Sequence, residues 1–185
     1  MSEEGRAAAG AGPRIRIGQG FDAHQLQVDR ALVIGGVEIP HDRGLEGHSD
    51  GDVLLHAVAD AILGALGEGD LGRHFPSSDP SLRGIASSRI VERVSAMMGE
   101  RGYALGNLDA TVIAQAPRLA PHQEAMRQVL ADLLGADASR INLKITSTDH
   151  LGALGRGEGM ASLAVVLLEP TLLEPTKVQD GSGER

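Results

Sequence analysis

The chain of 185 residues contains no cysteine and no tryptophan, and its aromatic residues are two phenylalanines and one tyrosine. Without cysteine there can be no disulfide, Cys-ligated zinc site, Cys nucleophile or iron–sulfur cluster, so His and carboxylate side chains must hold any transition metal. The few aromatic residues argue against nucleic-acid binding by base stacking, and the net charge of −8 repels polyanions. These absences predict a protein of a reducing compartment whose metal ligands are His, Asp or Glu.

The sequence also lacks a long apolar run and a signal peptide. The longest apolar stretch, residues 53–66, is interrupted by His56 and Asp60 and is too short to span a bilayer. The first 13 residues lack the basic and apolar regions of a signal peptide. We therefore expect a soluble, cytoplasmic protein with no membrane or nucleic-acid partner. Three parts are predicted: a disordered extension at residues 1–13, a single folded domain at 14–169 and a flexible tail at 170–185.

Strand and helix patterns alternate along the chain. Strands are predicted at about 14–17, 31–34, 37–39, 108–114, 141–145 and 161–168, and helices at about 50–66, 88–101 and 121–134. Gly18 and Gly20 are predicted to open a loop after the first strand, and Ser49 or Asp50 is predicted to cap the first helix. The alternation favours an α/β fold (an α+β sandwich), in which a mixed β-sheet packs against helices.

Asp22 and His24 follow the first predicted strand, two residues apart. In an extended segment both side chains point to the same side and could share a metal ion. The alternative is a turn that happens to contain Asp and His.

A polar loop with His48 and Ser49 leads into the buried helix that contains His56. The free N–H groups at the start of this helix are expected to form an anion site beside His56. The alternative is that His56 is a hydrogen-bonded core residue. Together with Asp22 and His24, His56 completes a His₂Asp set, and three protein ligands with an open fourth position are the arrangement of catalytic zinc.

Residues 146–149 form a third polar cluster, Thr-Ser-Thr-Asp, directly after a predicted strand, and a Gly-Arg-Gly-Glu-Gly segment follows at 155–159. Hydroxyls and a carboxylate in this place can contact phosphate and Mg²⁺, and an Arg between glycines can approach an anion closely. The alternative is a helix cap followed by a Gly-rich turn. The loops at 70–79 and 115–118 are similar polar sets.

The order of these motifs is more informative than any one of them. Along the chain they read G-x-G-F-D-x-H, G-G-V-x-I-P, G-H-S-D-G-D-V-x-L-H-A, G-D-L-G-x-x-F-P-x-x-D-P, A-Q-A-P and G-R-G-E-G. This series closely resembles the 2-C-methyl-D-erythritol 2,4-cyclodiphosphate synthase family over residues 14–168. The length of the chain matches the stand-alone form of these enzymes, without a fused cytidylyltransferase domain.

The resemblance implies a reaction and an assembly. The reaction is the conversion of 4-diphosphocytidyl-2-C-methyl-D-erythritol 2-phosphate to the cyclic diphosphate and CMP, in the non-mevalonate pathway of isoprenoid biosynthesis. The assembly is a homotrimer with a bacterial chorismate mutase-like fold and active sites between subunits. A cavity on the threefold axis, open to an isoprenoid diphosphate, is implied as well.

The family's functional positions carry over residue by residue. Zinc ligands fall on Asp22, His24 and His56, and the acidic position for Mg²⁺ or Mn²⁺ falls on Asp149. Catalytic positions fall on His48 and Ser147. Substrate-binding positions fall on Ser49, Asp70, Leu71, Gly72, Phe75, Pro76, Ser77, Ser78, Asp79, Ala114, Gln115, Ala116, Pro117, Arg118, Leu119, Ala120, Thr146, Thr148, Ala153 and Arg156. Residues of the central cavity fall on Phe21, Arg156 and Glu158.

Five positions depart from the family's usual residues. Arg118 replaces the usual Lys, Ser147 replaces Thr, and Asp149 replaces Glu. The charge or the hydroxyl group is kept at each of these three positions. Ser77 stands in place of Asp and loses a carboxylate. Ala153 replaces a common Phe and is expected to alter the central cavity.

Two other functions use the same residues. A metal-dependent phosphohydrolase would use the His₂Asp site to activate water. A non-catalytic trimer that binds isoprenoids would use the central cavity.

Overall fold

A five-stranded sheet forms the centre of the computed structural model, which describes residues 14–171. The strands of the protein are β1 (Arg16–Val28), β2 (Leu32–Ile34), β3 (Val37–Ile39), β4 (Arg43–Leu45), β5 (Tyr103–Ile113), β6 (Ile141–Thr146) and β7 (Gly159–Pro170). The sheet has the order β4-β1-β7-β5-β6, and β2 and β3 form a separate hairpin. Only β5 and β6 are parallel to each other, so the sheet is mixed, as predicted.

Three longer helices pack against the sheet. The helices are α1 (Val53–Leu66), α2 (Leu71–His74), α3 (Ser87–Glu100), α4 (Gln123–Leu134) and α5 (Gly152–Gly155). α1 lies on β1 and β7, α3 packs on α1, and α4 packs on β6. α4 ends at Gly135 in the left-handed conformation, as its sequence predicted. None of these helices is long and apolar enough to cross a membrane, within the described part of the chain.

The two faces of the sheet differ because side chains alternate along each strand. On β7, Ala164, Val166 and Leu168 are buried under the helices. The opposite face carries Phe21 of β1, 56% exposed, and Val165 of β7, 44% exposed. The sheet is thus covered by helices on one face and open on the other.

The prediction that Gly18 and Gly20 open a loop is wrong, because both lie inside β1. A Cβ atom on Gly20 would lie 2.0 Å from the carbonyl oxygen of Ala57, and one on Gly18 would lie 1.9 Å from that of Ala61. These glycines therefore serve the close approach of α1 to β1 rather than a turn.

The predicted cap of α1 is also wrong. α1 begins at Val53, and its cap is Asp52, whose side chain accepts the N–H groups of Leu54 and Leu55. Asp50 instead accepts the N–H of Ser87, the first residue of α3. The predicted extension at 1–13 lies outside the described residues, as does all of the predicted tail beyond Thr171.

Candidate active site

Three side chains converge where α1 crosses β1. Asp22 Oδ2 lies 2.8 Å from His24 Nε2 and 2.9 Å from His56 Nδ1. The two histidine nitrogens are 3.2 Å apart. These three ligand atoms are close enough to hold one metal ion.

Local structure explains the convergence. Asp22 and His24 lie two residues apart on β1, so both point to the face that α1 covers. His56 lies in the first turn of α1, one residue before Ala57, whose carbonyl oxygen nearly touches Gly20. The close packing of helix on glycine therefore brings His56 to the carboxylate of Asp22.

The second nitrogen of each histidine is hydrogen-bonded as a metal ligand requires. Nδ1 of His24 donates to the carbonyl oxygen of Glu46, so in the neutral ring Nε2 carries no hydrogen and is directed to Asp22. Nε2 of His56 lies 3.0 Å from the hydroxyl of Ser49 and 2.9 Å from that of Ser87. A metal-ligating histidine typically donates its other N–H to such an acceptor, so the donor set fits a metal ion.

The charges of the three groups are coupled. Partial burial acts to raise the pKa of Asp22, but hydrogen bonds and charge from His24 and His56 outweigh it and lower the pKa well below its usual range. The hydrogen bond to Asp22 in turn raises the pKa of His24 against the opposing effect of burial. The carboxylate is therefore ionised over the whole physiological range, and only the neutral form of His24 can bind a metal.

The metal site forms one end of a cleft of about 270 Å³. Its walls bring together many residues of the predicted set: Asp22, His24, His48, Ser49, His56, Leu71, Gly72, Phe75, Pro76, Ser77 and Asp79. Asp70 and Ser78 lie outside this lining. Asp70 accepts the N–H of Arg73 and so caps α2.

Asp52 occupies part of the anion site expected at the start of α1. Asp52 is fully buried and accepts the N–H groups of Leu54 and Leu55 as well as those of Gly35 and Gly36. Burial raises the pKa of Asp52 to about 6, and the N–H donors of Gly36, Gly35 and Leu55 oppose that rise. The carboxylate of Asp52 therefore occupies two of the helix-terminal N–H groups that were expected to bind an anion.

Other predicted residues, among them Gln115, Ser147 and Asp149, form a second cluster at the ends of β5 and β6. The side-chain oxygen of Gln115 accepts the N–H of His150 at 3.2 Å, and Ser147 Oγ lies 3.3 Å from Asp149 Oδ1. Asp149 and His150 both have left-handed backbone angles, with φ of 50° and 66°. The loop with Gln115 thus lies beside the segment with Ser147 and Asp149.

The two clusters lie on different strands of the sheet. Asp22 on β1 is in register with Ser162 on β7, and Ser162 is in register with Val112 on β5. β6 follows β5, so β1 and β6 are three strand spacings apart, about 14 Å. Two strands therefore separate the metal ligands from Asp149 within one chain.

A second cavity of about 610 Å³ adjoins the candidate metal site, because His24 lines both, and its other walls include Arg43, Ala153, Arg156 and Glu158. Arg156 Nε donates to Glu158 at 2.6 Å, so its charge is paired. Phe21, which was grouped with these residues, lies outside this lining and on the open face of the sheet.

Two residues around the cleft had no functional interpretation from the sequence. Ser87 is fully buried at the start of α3 and reaches His56. Asp60, one turn after His56, accepts the N–H of Leu71 at 2.8 Å and so ties α1 to α2. The i, i+4 spacing of His56 and Asp60 could have indicated a shared face, whereas a serine at a helix start gives no signal of its own.

Comparisons with known proteins agree with these motifs. The model of the YgbB family matches residues 15–169. The 2-C-methyl-D-erythritol 2,4-cyclodiphosphate synthase of Geotalea uraniireducens is 57% identical over 155 residues, which are 84% of this chain and 99% of that protein.

Two solved structures are similar as well. The bifunctional IspDF from Campylobacter jejuni matches with a TM-score of 0.82 and 42% identity, over 85% of this chain and 42% of that longer one. The CDP complex of IspF from Plasmodium falciparum matches with a TM-score of 0.75 and 33% identity, over 85% of this chain and 97% of that one.

Proposed function

The chain belongs to the YgbB family, and on that premise we propose that it is a 2,4-cyclodiphosphate-forming lyase of the non-mevalonate pathway. It converts 4-diphosphocytidyl-2-C-methyl-D-erythritol 2-phosphate to 2-C-methyl-D-erythritol 2,4-cyclodiphosphate and CMP. The observation that carries the proposal is the convergence of Asp22, His24 and His56 in a cleft that His48 also lines.

The reaction needs positioning more than it needs a base. An oxygen of the 2-phosphate attacks the β-phosphorus, and the bond from that phosphorus to the bridging oxygen breaks, so that CMP leaves with this oxygen. The attacking phosphate is already anionic, and the difficulty is to bring anions together in line. His48 and Ser147 are proposed to donate hydrogen bonds to the phosphoryl group in transfer.

Metal ions are proposed to reduce the repulsion between these anions. A donor set of two His and one Asp with an open position matches catalytic zinc, and Asp149 offers the oxygen ligand that Mg²⁺ or Mn²⁺ prefers. When bound, these ions supply positive charge to the attacking, transferring and leaving oxygens.

The substrate is proposed to lie across both clusters. Residues 75–79 are proposed to hold the erythritol end, and Asp70 and Gly72 are proposed to hold the ribose. Residues 114–120, with Thr146 and Thr148, are proposed to hold the cytidine and its phosphates. The CDP complex of a similar structure supports a nucleotide as part of the substrate.

A homotrimer of bacterial chorismate mutase-like fold is proposed as the assembly. Within one chain β7 and β5 lie between the metal ligands on β1 and Asp149 after β6, and the open sheet face carries apolar side chains such as Phe21 and Val165. Burial of this face between copies could bring the second cluster of one chain to the cleft of the next. We also propose that an isoprenoid diphosphate binds in a cavity lined by Arg156 and Glu158. The protein is proposed to be cytoplasmic.

Release of CMP tests the proposal. Purified chain, the cytidine diphosphate substrate, Mg²⁺ and Zn²⁺ should give CMP and the cyclic diphosphate in equal amounts by chromatography. Inorganic phosphate as the product would instead indicate a phosphohydrolase, and binding without turnover would indicate a non-catalytic trimer.

His56→Ala tests the role of the metal site. The variant should lose bound zinc and CMP release together, because the two remaining ligands leave the site incomplete. His122→Ala, outside the cleft, should keep both and is the matched control. Full turnover by a metal-free His56→Ala variant would refute the proposed mechanism.

A further inference from the structure

Two serine hydroxyls lie at hydrogen-bond distance from the same nitrogen of His56. Ser87 Oγ is 2.9 Å and Ser49 Oγ is 3.0 Å from Nε2. A ring nitrogen that carries one hydrogen donates mainly to one acceptor, so the surroundings of the two serines decide which of them it is.

The surroundings of Ser87 make it an acceptor. Its hydroxyl forms a short hydrogen bond to Oδ1 of Asp50, and its backbone N–H donates to Oδ2 of the same carboxylate at 3.0 Å. The hydroxyl hydrogen is therefore held by a negative group, and a lone pair of the oxygen is left for Nε2–H of His56. Ser87 is fully buried, so water does not compete for this bond.

The surroundings of Ser49 favour a different task. Its Oγ accepts the N–H of Gly51 at 3.0 Å, and its side chain lines the cleft, which that of Ser87 does not. The hydroxyl hydrogen of Ser49 can therefore be donated into the cleft, where the phosphates are proposed to lie.

The backbone holds this arrangement in place. The N–H of Gly84 donates to the carbonyl oxygen of His48, and the N–H of Asp50 donates to that of Ile85. The segment before α3 is thus hydrogen-bonded to the loop that carries His48 and Ser49. Arg30 donates to the carbonyl oxygens of Gly47 and Ser49 from the other side.

We propose that Ser87, backed by the carboxylate of Asp50, is the positioning residue that fixes the ring of His56, which leaves the hydroxyl of Ser49 for the substrate. The hydrogen bonds from His56 to Ser87 and from Ser87 to Asp50 orient Nδ1 of His56 toward Asp22 and His24. They also make Nδ1 a stronger electron-pair donor to a metal, as a carboxylate hydrogen-bonded to a ligating histidine does. This inference rests on the proposed metal site.

The test separates the two serines by metal affinity. Zn²⁺ affinity of the full chain is measured by competition with a chromophoric chelator, for wild type and for Ser87→Ala, Ser49→Ala and Ser88→Ala. Ser87→Ala should weaken Zn²⁺ binding by about 10- to 100-fold. Ser88→Ala, in the same helical turn, and Ser49→Ala should keep a Zn²⁺ affinity within about threefold of wild type. Ser49→Ala should nevertheless lose CMP release at saturating metal.

Two further readouts separate positioning from folding. Visible absorption of the Co²⁺-loaded chain, which reports ligand geometry, should change in Ser87→Ala and stay unchanged in Ser88→Ala. If Ser87→Ala does not fold without metal, Asp50→Asn takes its place and should weaken Zn²⁺ affinity several-fold.

Equal Zn²⁺ affinity of wild type and Ser87→Ala, or a loss in Ser49→Ala alone, would overturn the inference and leave the proposed function standing. A wild-type chain that does not bind Zn²⁺ would overturn the proposed metal site, and the inference with it.

Discussion

Protons and metal compete for the same nitrogen atoms at the candidate metal site. Asp22 lies within hydrogen-bond distance of both His24 and His56. This contact lowers the pKa of Asp22 and raises that of His24. A proton on His24 is thus favoured by the same carboxylate that would share a metal ion with it.

The signs of these shifts predict a pH dependence. A raised pKa means that protonated His24 stabilises the metal-free fold fully below the unfolded value of 6.5, and that this contribution is lost as pH rises through the folded pKa. The lowered pKa of Asp22 means that its ionised carboxylate stabilises the fold above pH 3.8, the pKa of the unfolded chain. This contribution is lost only as the pH falls through the pKa of Asp22 in the folded protein. Zn²⁺ needs neutral His24, so it should raise the melting temperature more at pH 8 than at pH 5.5.

Thermal unfolding with and without Zn²⁺ at several pH values measures this effect. The His122→Ala variant should follow wild type at every pH, because His122 lies outside the cleft. An equal or larger shift at pH 5.5 would contradict the assignment of His24 as a ligand.

The grouping of Asp22, His24 and His56 was predictable from the sequence because each sits in an ordered motif. Asp22 and His24 are spaced for one face of a strand, and His56 follows a specific polar loop. Ser87 was not predictable, since its role depends on α3 meeting the loop at 48–50. Asp50 was predicted to cap α1 and in fact holds the start of α3, because sequence proximity to a helix does not show which helix a side chain reaches.

At the scale of elements, the contact between α1 and β1 positions the site. Gly20 has no room for a Cβ atom, because the carbonyl oxygen of Ala57 would lie 2.0 Å from it. With glycine at position 20, α1 can therefore approach β1 more closely than it could with any other residue there. Since His56 precedes Ala57, this approach sets the distance from His56 to Asp22.

Gly20→Ala should push α1 away from β1. We expect the free energy of unfolding to fall by about 3 kcal/mol or more, because backbone atoms must move, and Zn²⁺ affinity to fall with it. Urea unfolding and chelator competition measure the two effects.

Gly64→Ala is the matched control on the same helix. Gly64 is exposed, and its nearest neighbour atom would be 3.8 Å from the new Cβ. The substitution should stabilise the chain by up to about 1 kcal/mol through helix propensity. Gly20→Ala with wild-type stability would show that the helix and strand can separate without cost.

The longer elements were predictable because their hydrophobic pattern repeats. α3 was predicted within one residue at each end, and β6 and the hairpin of β2 and β3 were predicted nearly as well. β4, α2 and α5 are three or four residues long and were missed, since no periodicity can be seen over so short a length. β2 and β3 are equally short, but the Gly35-Gly36 pair between their two apolar runs marks them as a hairpin. β1 was predicted too short because glycine indicates a turn as readily as a close approach.

At the scale of the molecule, the open face of the sheet is the main unexplained surface of a single chain. Val165 lies at its centre, between Gln19 on β1 and Asp109 on β5. Apolar side chains in such a place are typical of a surface that another copy covers.

Val165→Asp should dissociate the proposed trimer. The new charge would be buried beside Asp109, which is unfavourable without a partner. Size-exclusion chromatography with light scattering should show a trimer for wild type and for Ala125→Asp, on the exposed side of α4, and a monomer for Val165→Asp.

CMP release should fall in the monomer while Zn²⁺ binding remains, because the metal ligands all lie in one chain. A wild-type monomer with full activity would contradict the trimer.

Sheet order and the open face could not be predicted from composition or periodicity, because both depend on strand pairs far apart in the chain.

β7, the central strand, is the last of the described strands to be synthesised. It pairs Asp22 with Ser162 and His24 with Met160, positions 140 and 136 residues apart in the chain. At roughly 5–20 residues per second of translation, about 7 to 28 seconds separate the appearance of these ligands from that of the strand that holds them. All three ligands thus leave the ribosome long before their framework exists, and we expect metal to be acquired only after β7 has been inserted into the sheet.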